Sequence, residues 1–300
     1  CLAGSKPDDE NGKATPGHSS PVCPLQGKDH PRDQSHGVCM KAIRGLLIDL
    51  DGVVYTGGVQ IPGAREAISW LEREEYPFRF VSNTTRSSRE SLSVRLKGMG
   101  LEIPPERIFT PAVAAAALVR QKGASRILLL TTGDVHRDFD EAGLQQAREG
   151  AEVVVVGDAG DRFTYRAMNE AFRLVLDGVP FIALEKDRYW MDTDGLSLSA
   201  GPFVKALEYA TGKRAALAGK PSKAFFRMAL DSMGLRPGEC AMIGDDARSD
   251  IAGAMDAGMG GLLVETGKFR PEALTRLARP PSAILPSIAA LPGYLQENAR

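Results

Sequence analysis

From Ile43 onward the chain repeats one arrangement: a short apolar run, a few polar or glycine residues, then a longer segment with apolar residues at helical spacing. Arg44 to Leu50, Phe78 to Val81, Arg126 to Leu130, Glu152 to Val156, Pro180 to Leu184, Cys240 to Ile243 and Leu262 to Val264 read as buried strands. Ala64 to Glu74, Ser87 to Lys97, a Pro111-led alanine run, Tyr165 to Leu176, Phe203 to Thr211, Lys223 to Met233 and Ile251 to Ala257 read as helices. Strands that lack polar alternation are covered on both faces, and parallel neighbours need crossovers long enough for a helix. The pattern therefore predicts an α/β fold with a parallel sheet flanked by helices. Asp192 to Gly195 reads as a turn, and Ala283 to Leu285 as an edge strand before a closing helix.

Four apolar runs end in chemically rich residues. Gly45-Leu46-Leu47-Ile48 leads into Asp49-Leu50-Asp51-Gly52. If the extended geometry continues through Asp51, the two carboxylates point to one side about 7 Å apart, from a rise of roughly 3.3 Å per residue. Gly52 then allows a tight turn over them. The pair suits either a hard cation beside a phosphorylated substrate or an Asx-type turn that ends a buried strand. Phe80-Val81 leads into Ser82-Asn83, either a hydroxyl and an amide that meet phosphate or a turn and helix start in which Thr85 caps the next helix. Ala215 to Ala218 leads into Gly219-Lys220-Pro221, where a lysine just before a helix either stabilises anionic oxygen or is an ordinary surface lysine. Met242-Ile243-Gly244 leads into Asp245-Asp246 and then Asp250, a crowding of acids that calls for a cation or many hydrogen bonds, or else an acidic helix start.

In an open parallel sheet the carboxyl ends of the strands share one ligand crevice. These strand ends fall before about residue 90 and again after about residue 218, as expected when a second domain is inserted between two halves of the first. The predicted division is a Rossmann-like core of residues 40–124 and 216–300 with an α/β insertion at 125–215. Residues 1–39 are rich in Pro, Gly, Ser and charge, and form an expected disordered tail with the functional chain starting near Met40. Cys1, Cys23, Cys39, His18, His30 and His36 of that tail match no common zinc spacing. Beyond it only Cys240 remains, so no disulfide framework exists and a reducing, cytoplasmic setting is expected. A net charge of -1 gives no electrostatic reason to expect nucleic acid or acidic lipid, and no apolar stretch is long enough for a membrane helix.

Asp49-Leu50-Asp51-Gly52, Ser82-Asn83, Gly219-Lys220-Pro221 and Gly244-Asp245-Asp246 with Asp250, in this order, resemble the haloacid dehalogenase-like phosphatase superfamily over about residues 41 to 270. The long interval between the second and third signatures resembles the subfamily with a large α/β cap. Phe163 to Arg166, Gly201 to Phe203, Leu207 to Gly212 and Thr266 to Arg270 resemble particular animal members, which commonly carry Ser at the position of Asp51. Asp51 departs from them toward the general phosphatase pattern.

The resemblance implies Asp49 as nucleophile and Asp51 as general acid and base. It implies Mg2+ held by Asp49, Asp51 (through its carbonyl) and Asp245, phosphate held by Ser82, Asn83 and Lys220, and Asp250 in support. The expected partner is a small phosphorylated molecule, with no nucleic acid, no membrane and a homodimer through the cap. Arg162 to Arg166 and Arg188 to Asp194 are cap segments able to reach a leaving group or to serve as plain turns. A noncatalytic metal- or phosphate-sensing module, or a protein scaffold, would use the same residues without turnover; a pyrophosphate or phosphoamino-acid phosphatase is the catalytic alternative.

Overall fold

The computed structural model describes residues 43–192 and 194–298. The tail readings at 1–39, the start at Met40 and Thr193 in the expected turn lie outside the described residues.

Gly45–Asp49 lies inside a six-stranded parallel sheet whose order is Ala283–Leu285, Gly260–Val264, Cys240–Gly244, Gly45–Asp49, Phe78–Val81, Ile108–Phe109. All five of its residues are buried, and side chains alternate between two cores. Leu46 and Ile48 join an apolar cluster with Phe80, Ile243 and Leu262, while Leu47 points into a cluster on the other face. Register places Ile48 beside Ile243 and Phe80, and Asp49 beside Val81. The acidic ends of neighbouring strands are thus level with one another.

A second parallel sheet of five strands runs Ala216–Leu217, Phe181–Ala183, Val153–Val156, Arg126–Leu130, Gln145–Gln146. Ile127, Val153 and Val155 meet Leu47 and Met242 in one apolar cluster, with Ala112, Ala114, Ala115 and Ala116 of helix Pro111–Gln121 between them. Alanines suit that helix because small side chains let it pack on both neighbours, and Thr110 caps it through Val113 N–H. Leu128, Leu130, Val154 and Val156 face the opposite way, under helices Tyr165–Leu176 and Ala200–Thr211.

Several elements differ from the sequence reading. Ala216–Leu217, expected to open the returning core segment, pairs with Phe181–Ala183 at the edge of the second sheet. The helix expected from Phe203 begins at Ala200; Gly201-Pro202 obscures the start, although proline is tolerated in a first turn. Tyr189–Asp192 and Gly195–Leu198 form an antiparallel hairpin around the expected turn. Ile251 lies inside a π-type turn, Ala247–Ala252, that continues as helix Gly253–Asp256. Ser88, not Thr85, caps helix Arg89–Gly98. Cys240 is a buried free cysteine, and burial pushes its thiol up to about 11. Among the described residues no helix is long and apolar enough to cross a membrane.

Candidate active site

The strand carrying Asp49 stops there, and the extended geometry does not continue to Asp51. The Leu50 carbonyl accepts from Val54 N–H at 2.9 Å and from Tyr55 N–H at 3.2 Å, curling the chain into a turn with Gly52 at φ 84°. Asp49 is consequently buried and Asp51 exposed. Gly52 is required twice over: its φ is left-handed, and a Cβ there would stand 1.9 Å from Asp245 Oδ2.

Asp49 Oδ1 accepts from Leu50 N–H at 2.9 Å and lies 2.8 Å from Lys220 Nζ. Lys220, only 3 % exposed, also lies 2.6 Å from Asp250 Oδ1, close in distance but off a linear hydrogen-bond direction. Asp250 Oδ2 accepts from Asp246 N–H at 3.1 Å, a contact supplied by the wide turn that carries both acids. Asp246 itself caps that turn through Arg248 and Ser249 N–H. Desolvation works against the Lys220 charge, yet Asp250 and Asp49 hold its pKa well above the ordinary lysine range. For Asp49 burial prevails and raises the pKa despite Lys220. Burial also raises Asp250, again against the pull of Lys220.

Asp245 is the member with the least compensation. Its Oδ2 accepts from Lys268 N–H at 2.6 Å, while its Oδ1 is buried without a hydrogen-bond partner. Burial, and next the charge of Asp250, push it up to about 6. Ligand oxygens of Asp49, Asp245 and Asp250 lie within 4.8 Å of one another. Asp250 is engaged by Lys220 and Asp246, so the orphaned Asp245 oxygen and Asp49 are the donors best suited to a hard divalent cation. The donor set fits Mg2+.

Ser82 is buried one step past Val81, its Oγ accepting from Thr84 N–H at 3.3 Å and its hydroxyl hydrogen still able to donate. Asn83 clasps the lysine loop: Lys220 N–H donates to Oδ1 at 2.9 Å, and Nδ2 donates to the Lys220 carbonyl at 3.2 Å. Its amide therefore sets Lys220, with one Nδ2 hydrogen left for a ligand. Lys220 follows Ala216–Leu217, so the second sheet, not the first, delivers it.

The strand ends of the second sheet turn toward the same region. Asp158, just beyond Val153–Val156, accepts from Arg86 Nε at 2.9 Å and donates its N–H to Thr85 Oγ1 at 3.0 Å. The Arg86 guanidinium stacks on Trp190 at 4.5 Å, so Trp190 of the expected cap segment meets a residue four positions past Ser82. Arg162 reaches the Thr131 carbonyl at 3.4 Å.

Thr266-Gly267-Lys268 is the part of the site that residue types alone did not assign. It leaves the end of Gly260–Val264, adjacent to the Asp245 strand. Thr266 Oγ1 donates to the Gly52 carbonyl, and Gly267, at φ 60°, packs on Gly52 and Asp245. The available signal was positional: a further apolar run of the first sheet, Leu262 to Val264, followed after Glu265 by Thr-Gly-Lys.

Residues 46–145 match the family described as haloacid dehalogenase-like hydrolase, and residues 217–291 match a second one described as HAD-hydrolase-like. Haloacid dehalogenase-like hydrolase domain-containing protein 2 of Bos taurus is 46% identical over 230 residues, covering 77% of this chain and 87% of that protein. Phospholysine phosphohistidine inorganic pyrophosphate phosphatase of Homo sapiens is 39% identical over 241 residues, 78% of this chain and 87% of the relative. Among solved structures, the 4-nitrophenylphosphatase of Thermotoga maritima superposes with a TM-score of 0.79 at 27% identity, covering 87% of this chain and 100% of that one. The p-nitrophenyl phosphatase of Archaeoglobus fulgidus gives 0.79 at 29% identity, with 85% and 100% covered.

Proposed function

Because this chain belongs to the haloacid dehalogenase-like hydrolases, with their core and inserted cap domain, we propose that it hydrolyses small phosphomonoesters with Mg2+ through an aspartyl-phosphate on Asp49. The observation that carries the proposal is the pairing of two buried carboxylates. Asp49 is turned by Leu50 N–H and Lys220, and beside it Asp245 keeps one buried oxygen without a protein partner.

Asp49 and Asp245, with the main-chain carbonyl of Asp51, would hold Mg2+. The cation supplies charge neutralisation for the phosphoryl oxygens and the carboxylates when bound. An Asp49 carboxylate oxygen forms a bond to phosphorus as the bond to the leaving oxygen breaks, and Asp51 gives that oxygen its proton. Asp51 then takes a proton from water, whose oxygen bonds to phosphorus and releases phosphate and Asp49. Ser82, the free Nδ2 hydrogen of Asn83 and Lys220 meet the phosphoryl oxygens, while Asp250 keeps Lys220 aimed. The exposure of Asp51 suits a group that must meet both the departing alcohol and water.

The names of the similar phosphatases support phosphate-ester hydrolysis, and pyrophosphate and phosphoamino acids stay in the substrate range tested. Hydrolysis of 4-nitrophenyl phosphate by the full chain, with Mg2+ or with a chelator, tests the reading. Turnover is expected only with the cation, and Asp49→Asn, folded by circular dichroism, should fall to background. Undiminished cation-dependent turnover in that variant rejects the nucleophile, and none in wild type rejects the enzyme reading.

A cytoplasmic setting and a second copy of the chain against the cap belong to the same proposal. Tyr189, Met191, Leu196 and Leu198 stand exposed on the cap hairpin as two cross-strand pairs. Sedimentation of wild type and Met191→Glu checks the pairing: a wild-type dimer that the variant loses supports it, and a wild-type monomer rejects it.

A further inference from the structure

Away from the site, helix Pro111–Gln121 carries Val113, Ala116, Ala117 and Arg120 three and four positions apart, and this stripe lines a groove. Asp138, Glu141 and Ala142, spaced in the same way on and just past helix His136–Glu141, line it from a second helix, together with Arg89. The groove measures about 640 Å³, a size typical of small-molecule sites. It stays open because three of these positions are alanine, whose methyl groups do not fill the space between two helices. None of its residues belongs to the proposed catalytic set.

The charges of the groove are unevenly spent. Arg89 N–H donates to Asp138 Oδ1 at 3.1 Å, Arg89 Nε lies 3.5 Å from the same oxygen, and Arg89 Nη2 lies 2.8 Å from Glu141 Oε2. Thr110 Oγ1 donates to Asp138 Oδ2 at 3.4 Å. Both acids are therefore engaged. Arg120 is not: among the described residues none hydrogen-bonds or ion-pairs with its exposed guanidinium. What the groove lacks is an acceptor for those five N–H donors, next to an apolar floor. A carboxylate or sulfonate meets such a fork with two parallel hydrogen bonds, and a ring on the same molecule covers Val113, Ala116, Ala117 and Ala142. A dianion is disfavoured, because Asp138 and Glu141 share the single Arg89 guanidinium and leave one negative charge in the groove.

We propose that this groove is a second ligand site, separate from the catalytic centre, which takes a monoanion carried on an apolar, ring-sized body. It lies between the helix that bridges the two sheets and a helix of the insertion, so its occupant touches both sides of their seam.

Fluorescence titration of the full chain with 8-anilinonaphthalene-1-sulfonate, an aromatic monoanion that brightens in apolar surroundings, reads the site. Wild type should show a single saturable site, from which 2-naphthoate displaces the probe about tenfold better than neutral 2-naphthalenemethanol does. Arg120→Gln should weaken the probe about tenfold, with Arg120→Lys in between; Arg120 is exposed, so neither change disturbs the fold. Ala117→Leu, which fills the groove, should abolish the saturable signal with circular dichroism as in wild type. Met191→Glu on the exposed hairpin, and orthophosphate with Mg2+, should leave the titration unchanged. The proposal is overturned by the absence of saturable binding, by an unchanged affinity in Arg120→Gln or in folded Ala117→Leu, or by equal displacement with the two naphthalenes. Loss of the signal with Met191→Glu or with orthophosphate also overturns it, placing the probe on the hairpin or in the catalytic centre.

Discussion

Asp49 and Asp51 are the same side chain two residues apart, and the turn at Leu50 gives them opposite surroundings. Asp49 is enclosed and oriented by a backbone N–H and an ammonium; Asp51 is open to water. A nucleophile needs the first environment and a proton carrier the second. Asp51→Asn should therefore leave Asp49 able to take the phosphoryl group while slowing its release, lowering kcat by about 10² to 10⁴. Intact-mass measurement after acid quench should find a phosphate adduct on the variant; unchanged turnover without an adduct contradicts the assigned role. The sequence displayed these acids because each follows an apolar run. It did not display that Asn83 spends its amide on Lys220, or that a Lys268 main-chain N–H fixes Asp245, since backbone partners leave no mark in residue type.

At the scale of elements, the segment from Thr85 to Ser91 is the polar seam between the two sheets. Asp134, in the loop after Arg126–Leu130, accepts from Ser88 N–H at 3.0 Å, Ser88 Oγ at 2.8 Å and Ser91 Oγ at 2.6 Å. Although desolvation opposes it, the hydrogen bonds from Ser91 and Ser88 hold Asp134 down at about 2. Its folded value is below its unfolded one, so the stabilisation is present above about pH 4 and is lost as pH falls toward about 2. Asp134→Asn should cost about 1 kcal/mol at pH 7, discounted for its partial exposure, with the difference from wild type shrinking as pH falls below about 4. Denaturant titrations across that range check the sign. A constant difference would mean that shape, not charge, holds the seam. Most strands and helices were legible from apolar periodicity, but Asp134 was not, because its partners lie more than forty residues away on another element. The hairpin Tyr189–Leu198 was hidden for another reason: its apolar side chains face outward, so they follow no buried pattern.

For the whole molecule, the insertion predicts two domains, whereas the packing argues for a single unfolding unit. Leu47, Val81 and Met242 of the first sheet share an apolar cluster with Ile127, Val153 and Ile182 of the second, bridged by helix Pro111–Gln121 and by Phe225 and Phe226. Arg86 adds an ion pair to Asp158 and a stack on Trp190 across the same seam. Loss of either sheet would expose this shared apolar surface, so neither should melt alone. The chain's two tryptophans report on the two sides: Trp70 packs beside the first-sheet core, and Trp190 lies on the hairpin of the insertion. Trp70→Phe and Trp190→Phe each leave one fluorophore. After each variant is referred to its own transition by circular dichroism, the fluorescence midpoint should coincide with that transition in both. A Trp190 midpoint preceding the loss of secondary structure by several degrees would instead mean that the cap opens first and the apolar seam is weaker than its burial implies.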